Sequence, residues 1–194
     1  MVNPLLSFFY SGDDNLRWRA VTAVGAVTAS LAADGMESAR VIMRRLMWNL
    51  NDESGGIGWG SPEAMGEIMA RHRGLAGEFC TILISYIDPE GNYLEHEGLQ
   101  RGVMWGVGRL ARSRPHLMSA ASNFLPPYLR SPDPMLRGLC AWAAGAVLCP
   151  PAHALLRDLT ADASPLTIWE TDRLVAYTVG SLAQAALAGV PASG

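Results

Sequence analysis

The 194-residue chain contains no lysine; all fifteen of its cations are arginine. A Walker-type phosphate loop ends in Lys-Ser or Lys-Thr, so the glycine-rich stretch Ser54-Gly55-Gly56-Ile57-Gly58 does not read as one. Basic excess is missing too: the net charge is -3 and the pI about 5.8. A surface built to neutralise phosphates shows surplus cations, so nucleic acid is not an expected partner. Cysteine is scarce. Cys80, Cys140 and Cys149 lie far apart, the pattern of reduced core thiols in a cytoplasmic protein rather than of a disulfide framework. No apolar run reaches about 18 residues without a charge or a breaker, which argues against a membrane span. The opening MVNPLLSFFYSGDD lacks the basic region and small-residue cleavage pattern of a secretory signal. Cys-His nucleophile pairs, HExxH, paired Glu-x-x-His spacings and dinucleotide fingerprints are absent, so no catalytic residue, metal or cofactor is assigned.

What is present is helical periodicity. With 49% hydrophobic and 17% charged residues, the chain can bury one sizeable core. A single domain over 1–188 is expected, with 189–194 frayed. Pro4 opens a short helix, and Ser11-Gly12-Asp13-Asp14 caps a second from about Asn15 to Ala33. A third runs from about Glu37 to Leu50. Ser61-Pro62 starts a fourth that His72-Arg73-Gly74 ends, and a fifth spans Leu75 to Ile87. The sixth covers about Glu95 to Ala111, and Pro115 begins a seventh that Pro126-Pro127 must break. An eighth follows Ser131-Pro132-Asp133-Pro134, a ninth lies around Ala152 to Thr160, and a tenth is predicted from about Ile168 to Ala188.

The even-numbered helices share a pattern: a Leu nine residues before a Gly, and a small or branched residue five before it. It recurs at Leu16, Ala20 and Gly25; at Leu99, Val103 and Gly108; at Leu136, Cys140 and Gly145; and in a weaker copy running from Thr171 to Gly180. With Gly66 between the first two, the glycines recur about every 35–42 residues, the period of two-helix repeat units. The motifs Asp14-x-Leu16-Arg17-x-x-Ala20 with Gly25, and Asp133-Pro134-x-Leu136-Arg137 with Ala144-Gly145, resemble the HEAT-like repeat family, especially the short repeats of phycobilisome lyase-type proteins. That resemblance implies an all-α fold, an α-solenoid (alpha-alpha superhelix) of about five antiparallel helix pairs. In the second unit the packing motif is replaced by the stretch Asn49 to Glu67.

At about 100 degrees per residue, the position three before each Gly lies opposite the core side. Thr22, Trp105, Trp142 and Tyr177 occupy it, edged by Arg101, Arg109 and Arg173. Such a ladder either fills seams between repeats or lines the inner, concave face that solenoids use for binding. A second cluster comprises Glu53 and Trp59 of the glycine loop, Glu63 and Glu67 of the fourth helix, and His96 and Glu97 at the start of the sixth. The acids around His96 suit a helix start, and could equally line a pocket. The preferred reading is a non-enzymatic scaffold that binds a protein or peptide partner on the Trp/Arg face. The alternative is a small-molecule or cofactor-handling protein whose pocket lies between residues 52–59 and the sixth helix. The lyase-type resemblance implies a tetrapyrrole-like ligand for that alternative.

Overall fold

In the computed structural model, residues 2–51, 57–147 and 149–189 are described. They are predominantly α-helical, and one two-stranded antiparallel sheet accompanies the helices. The helices are α1 (Asn3–Ser7), α2 (Asp14–Asp34), α3 (Met36–Leu50), α4 (Ser61–Arg71), α5 (Arg73–Ser85), α6 (Glu97–Ser113), α7 (Leu125–Tyr128), α8 (Pro134–Val147), α9 (His153–Leu159) and α10 (Val179–Leu187). Strands β1 (Pro165–Glu170) and β2 (Arg173–Thr178) form the sheet. No helix among the described residues is long and apolar enough to cross a membrane.

The helix starts follow their side chains. Asp13 accepts hydrogen bonds from the backbone N–H groups of Asn15 and Leu16 at 2.9 and 3.3 Å, capping α2. Asp133 does the same for Met135 and Leu136 of α8. The chain enters α4 through Gly58 and Gly60, both at positive φ (62° and 73°), where a side chain would be strained.

The longer helices stack in a row: α2 on α4, α4 on α6, α6 on α8 and α8 on α10. The recurrent glycines sit in these contacts. At Gly25 an added Cβ would lie 2.4 Å from Cγ of Glu67; at Gly66, 2.4 Å from the backbone of Gly106; at Gly108, 2.2 Å from the ring of Trp142. Each glycine therefore lets the next helix in the row approach closely. Helices α3 and α5 back the row, and Met43, Leu46, Ile68, Leu75 and Leu83 are fully buried in the core.

The tenth helix is shorter than its periodicity predicts. Residues 165–178 form the β-hairpin instead, with Ile168 opposite Val175 and Glu170 opposite Arg173. Its two-residue turn places Thr171 (φ 48°) and Asp172 (φ 62°) in the left-handed region. That is the type I′ geometry favoured by strand twist, reached here without glycine or asparagine. The stretch Thr171 to Gly180 is thus no fourth helical copy, and Arg173 and Tyr177 stand on a strand.

Candidate functional site

The hairpin lies across the face that carries the aromatic ladder, and the three helical ladder positions meet it. Trp169 Nε1 donates to Oγ1 of Thr22 at 3.0 Å, and Trp105 Nε1 donates to the carbonyl of Trp169 at 3.1 Å. Trp142 Nε1 donates to Oε1 of Glu170 at 3.1 Å, while the Tyr177 hydroxyl donates to Oε2 of the same carboxylate at 2.7 Å. Trp105 and Trp142 are 2% and 1% exposed. Instead of an open strip, the ladder forms a buried indole cluster: Trp142 stacks on Trp105 at 6.4 Å between centroids, and Trp18 sits 4.6 Å from Trp105 and 6.1 Å from Trp169. Such pairs add about 1 kcal/mol each beyond area burial.

Trp105 separates two cavities. The first, of about 330 Å³, opens between the starts of α2, α4 and α6 and the hairpin. Asp14, Arg17 and Trp18 line it from α2, Trp59 and Glu63 from the entry to α4, and Arg101 and Trp105 from α6. Met135 and Leu139 of α8 and Thr167 and Leu174 of the hairpin complete the wall. Two glycines of α6, one turn apart, shape it. A Cβ at Gly98 would lie 2.4 Å from the Trp59 ring, and one at Gly102 would lie 2.6 Å from Oε2 of Glu63. The indole and the carboxylate therefore rest on bare helix backbone.

Glu63 is the unusual group here. Its Oε2 is fully enclosed and has no hydrogen-bond partner. Burial pushes its carboxyl up to about 7, opposed by its own backbone N–H and by the charge of Arg17. The two arginines in the wall are already engaged: Arg17 pairs with Asp14 at 3.1 Å, and Arg101 with Asp133 at 2.6 Å.

The second cavity, about 310 Å³, lies beyond Trp105 and is lined by Glu67, Arg71, Arg109, Arg112, Trp142 and the hairpin end at Glu170–Asp172. Its carboxylates Glu67 and Glu170 are partnered, while Nε and Nη1 of Arg112 are enclosed without a hydrogen-bond partner. Glu67, 4% exposed, accepts from Nε of Arg71 and Nε of Arg109, both at 2.6 Å. Arg112 lies 4.2 Å above the Trp142 ring and 3.7 Å from Glu170. Burial pulls the Arg112 guanidinium down from its ordinary value, opposed by Glu170.

Of the residues singled out in the sequence, Trp59, Glu63, Arg101 and Trp105 meet in the first cavity, and Glu67, Arg109 and Trp142 line the second. His96 packs edge-on against Trp59 at 5.1 Å, and its Nδ1 accepts from the Gly98 N–H at 3.1 Å, capping α6. His96 and Glu97 are both exposed. A His96–carboxylate metal set does not assemble: among the described residues no three His, Cys, Asp or Glu side chains converge. Arg173 is exposed on β2, and Tyr177 is half-buried against Glu170. Glu53 lies outside the described residues. Cys80, Cys140 and Cys149 are free and buried. Sequence reasoning passed over Asp14 and Arg17 as site residues, although both lie in the motif that carries the repeat resemblance. It also passed over Trp169 and Glu170, whose strand it assigned to helix.

Comparison with known proteins adds the fold alone. No family model matches the chain. An uncharacterized protein of Archaeoglobus fulgidus is 30% identical over 109 residues, which is 56% of this chain and 53% of that protein, so the chain spans about half the length of this curated relative. Among solved structures, the crystal structure of an engineered protein from the Northeast Structural Genomics Consortium superposes with a TM-score of 0.61. It is 14% identical, and the match covers 97% of this chain and 78% of that one.

Proposed function

We propose that this chain is a small-molecule-binding protein built as a short α-solenoid of HEAT-like helix pairs, with its ligand held in the cavity between Trp59, Glu63, Trp18 and Trp105. The row of helices with a glycine at successive contacts supports the solenoid reading. One observation carries the ligand reading: a carboxylate with an enclosed, unpaired oxygen in the wall of an aromatic-lined cavity. Leaving a buried polar atom unsatisfied costs about 1–3 kcal/mol, and more for a charged group. A group kept at that cost in a concave site is a binding-site candidate. The cavity volume sits at the lower end of ligand pockets, about 300 Å³ and upward, and suits a molecule of one or two rings better than a tetrapyrrole.

The partner reading places a protein or peptide on the Trp/Arg face. There Trp105 and Trp142 are already covered by the chain's own hairpin, which takes the position a partner strand would occupy.

Native mass spectrometry of the chain purified from its own host tests the proposal, with wild type beside Trp59→Ala. A small non-covalent adduct on the wild type that Trp59→Ala loses, with the thermal midpoint little changed, is the expected outcome. Equal retention by both proteins, or a protein partner without any small adduct, overturns it.

A further inference from the structure

The polar groups around the first cavity are unequal, and the inequality selects a ligand chemistry. On the α2 side Arg17 is held by Asp14, and on the α6 side Arg101 is held by Asp133, which is itself fixed by capping α8. The hairpin contributes Thr167 and Leu174, neither of them charged. His96 lies beyond the edge of Trp59 and is exposed. The unsatisfied group in the wall is thus an acceptor, the enclosed Oε2 of Glu63, and three indoles whose faces attract cations line the same cavity. An anionic ligand would have to draw Arg17 or Arg101 away from its carboxylate and would meet Glu63 besides.

We infer that the ligand is an organic cation with at least one N–H donor (a protonated amine, amidinium or guanidinium), its charge against Glu63 and its hydrocarbon part between Trp18, Trp59 and Trp105. This rests on the small-molecule reading above and deepens it. The N–H satisfies the orphan oxygen with a charge-assisted hydrogen bond, the stronger class of such bonds. Gly102 keeps the carboxylate against bare helix, which leaves the volume in front of it for the ligand.

Glu63 holds its proton up to about pH 7, because burial opposes the charge. A cation beside it favours the ionised form. Binding therefore expels a proton when the pH lies below 7, and affinity rises with pH through that range. The other charged groups around the cavity are Asp14, Arg17, Arg101 and Asp133, and His96 lies beyond the edge of Trp59.

The test is isothermal titration calorimetry of the full chain with three probes that share a ring: benzylamine, benzyl alcohol and benzoate. Each is titrated at about pH 8 and at about pH 6, into wild type, Glu63→Gln and Trp59→Ala. Benzylamine is expected to bind the wild type most tightly and more weakly at the lower pH. Glu63→Gln is expected to weaken it by about tenfold or more and to flatten its pH dependence. If the dependence survives in Glu63→Gln, another group carries it and the assignment of Glu63 as anchor is overturned. If benzyl alcohol or benzoate binds as tightly as benzylamine and Trp59→Ala abolishes that binding, the cavity is a ligand site and the cation assignment fails. If none of the probes binds the wild type, the small-molecule reading falls, and this one with it.

Discussion

Glu63 and Glu67 lie one turn apart on α4, face the same neighbouring helices, and have opposite surroundings. Glu67 is gripped by Arg71 on its own helix and Arg109 on α6, with its methylene groups in the space that Gly25 leaves open. Glu63 rests on Gly102, has an enclosed oxygen without a donor, and lines a cavity whose arginines serve other carboxylates. A buried carboxylate with two guanidinium partners explains itself as a clamp between helices. One without a partner is a cost to the empty protein. The difference separates a group that ties neighbouring helices together from one left without a donor.

The comparison breaks most visibly at Glu67. Glu67→Gln leaves Arg71 and Arg109 without their shared counter-charge, and since each arginine is about a third exposed the loss is expected at about 3 kcal/mol, the lower end for a broken buried pair. Urea denaturation with an unchanged m-value would measure it; a loss of a few tenths would show that the clamp is ornamental.

Glu63→Gln is expected to act in the other direction and to depend on pH. The folded-state carboxyl titrates near 7 against an ordinary value of 4.5. Below 4.5 the group is protonated in both states and contributes no destabilisation. Between 4.5 and 7 the unfolded chain ionises while the folded one does not, so wild-type stability falls as pH rises. The variant escapes that fall and should be more stable than wild type above pH 7 by about 3 kcal/mol. Thermal midpoints measured across this range would show the two curves converging in acid; parallel curves would mean that Glu63 is ionised and paired.

The smallest effect lies at the hairpin turn, whose Thr171 and Asp172 line the second cavity. Thr171 is β-branched and held at φ 48°, so Thr171→Gly is expected to stabilise by about 1 kcal/mol or less, the strain relieved exceeding the added freedom of the unfolded chain. A lower thermal midpoint would show that the threonine side chain contributes more than its backbone costs.

Much of the helical body was legible. Asp13 and Asp133 are capping residues by type and position, and Ser61-Pro62 announces α4, so three helix starts fell within a residue of their expected places. The recurrence of the glycines was legible, and the close approach of the next helix at Gly25, Gly66 and Gly108 needed the structure. The hairpin was not read. Leu166-Thr167-Ile168-Trp169 and Leu174 to Thr178 carry the β-branched and aromatic content of strands, but a two-residue turn made of Thr171-Asp172 lacks the Gly or Asn that normally signals type I′, and the apolar spacing also fits a helix. The same error hid the site. Trp105 and Trp142 shared a face as expected, while the segment that covers them had been drawn into the ladder as another helix. Glu63 was a candidate from its place in the first turn of α4; that it would lack a donor depended on Gly102 and on where Arg17 and Arg101 turn, which no local pattern encodes.

The hydrogen bond from Trp169 to Thr22 joins residues 147 positions apart. On the ribosome, α2 to α8 can stack as they emerge, through contacts between successive units, whereas the hairpin must return from near the end of the chain to the second helix. The first cavity is therefore completed only after β1 and β2 have been made, and a chain halted before Pro165 would expose Trp18, Trp105 and Trp142 together to whatever waits at the exit.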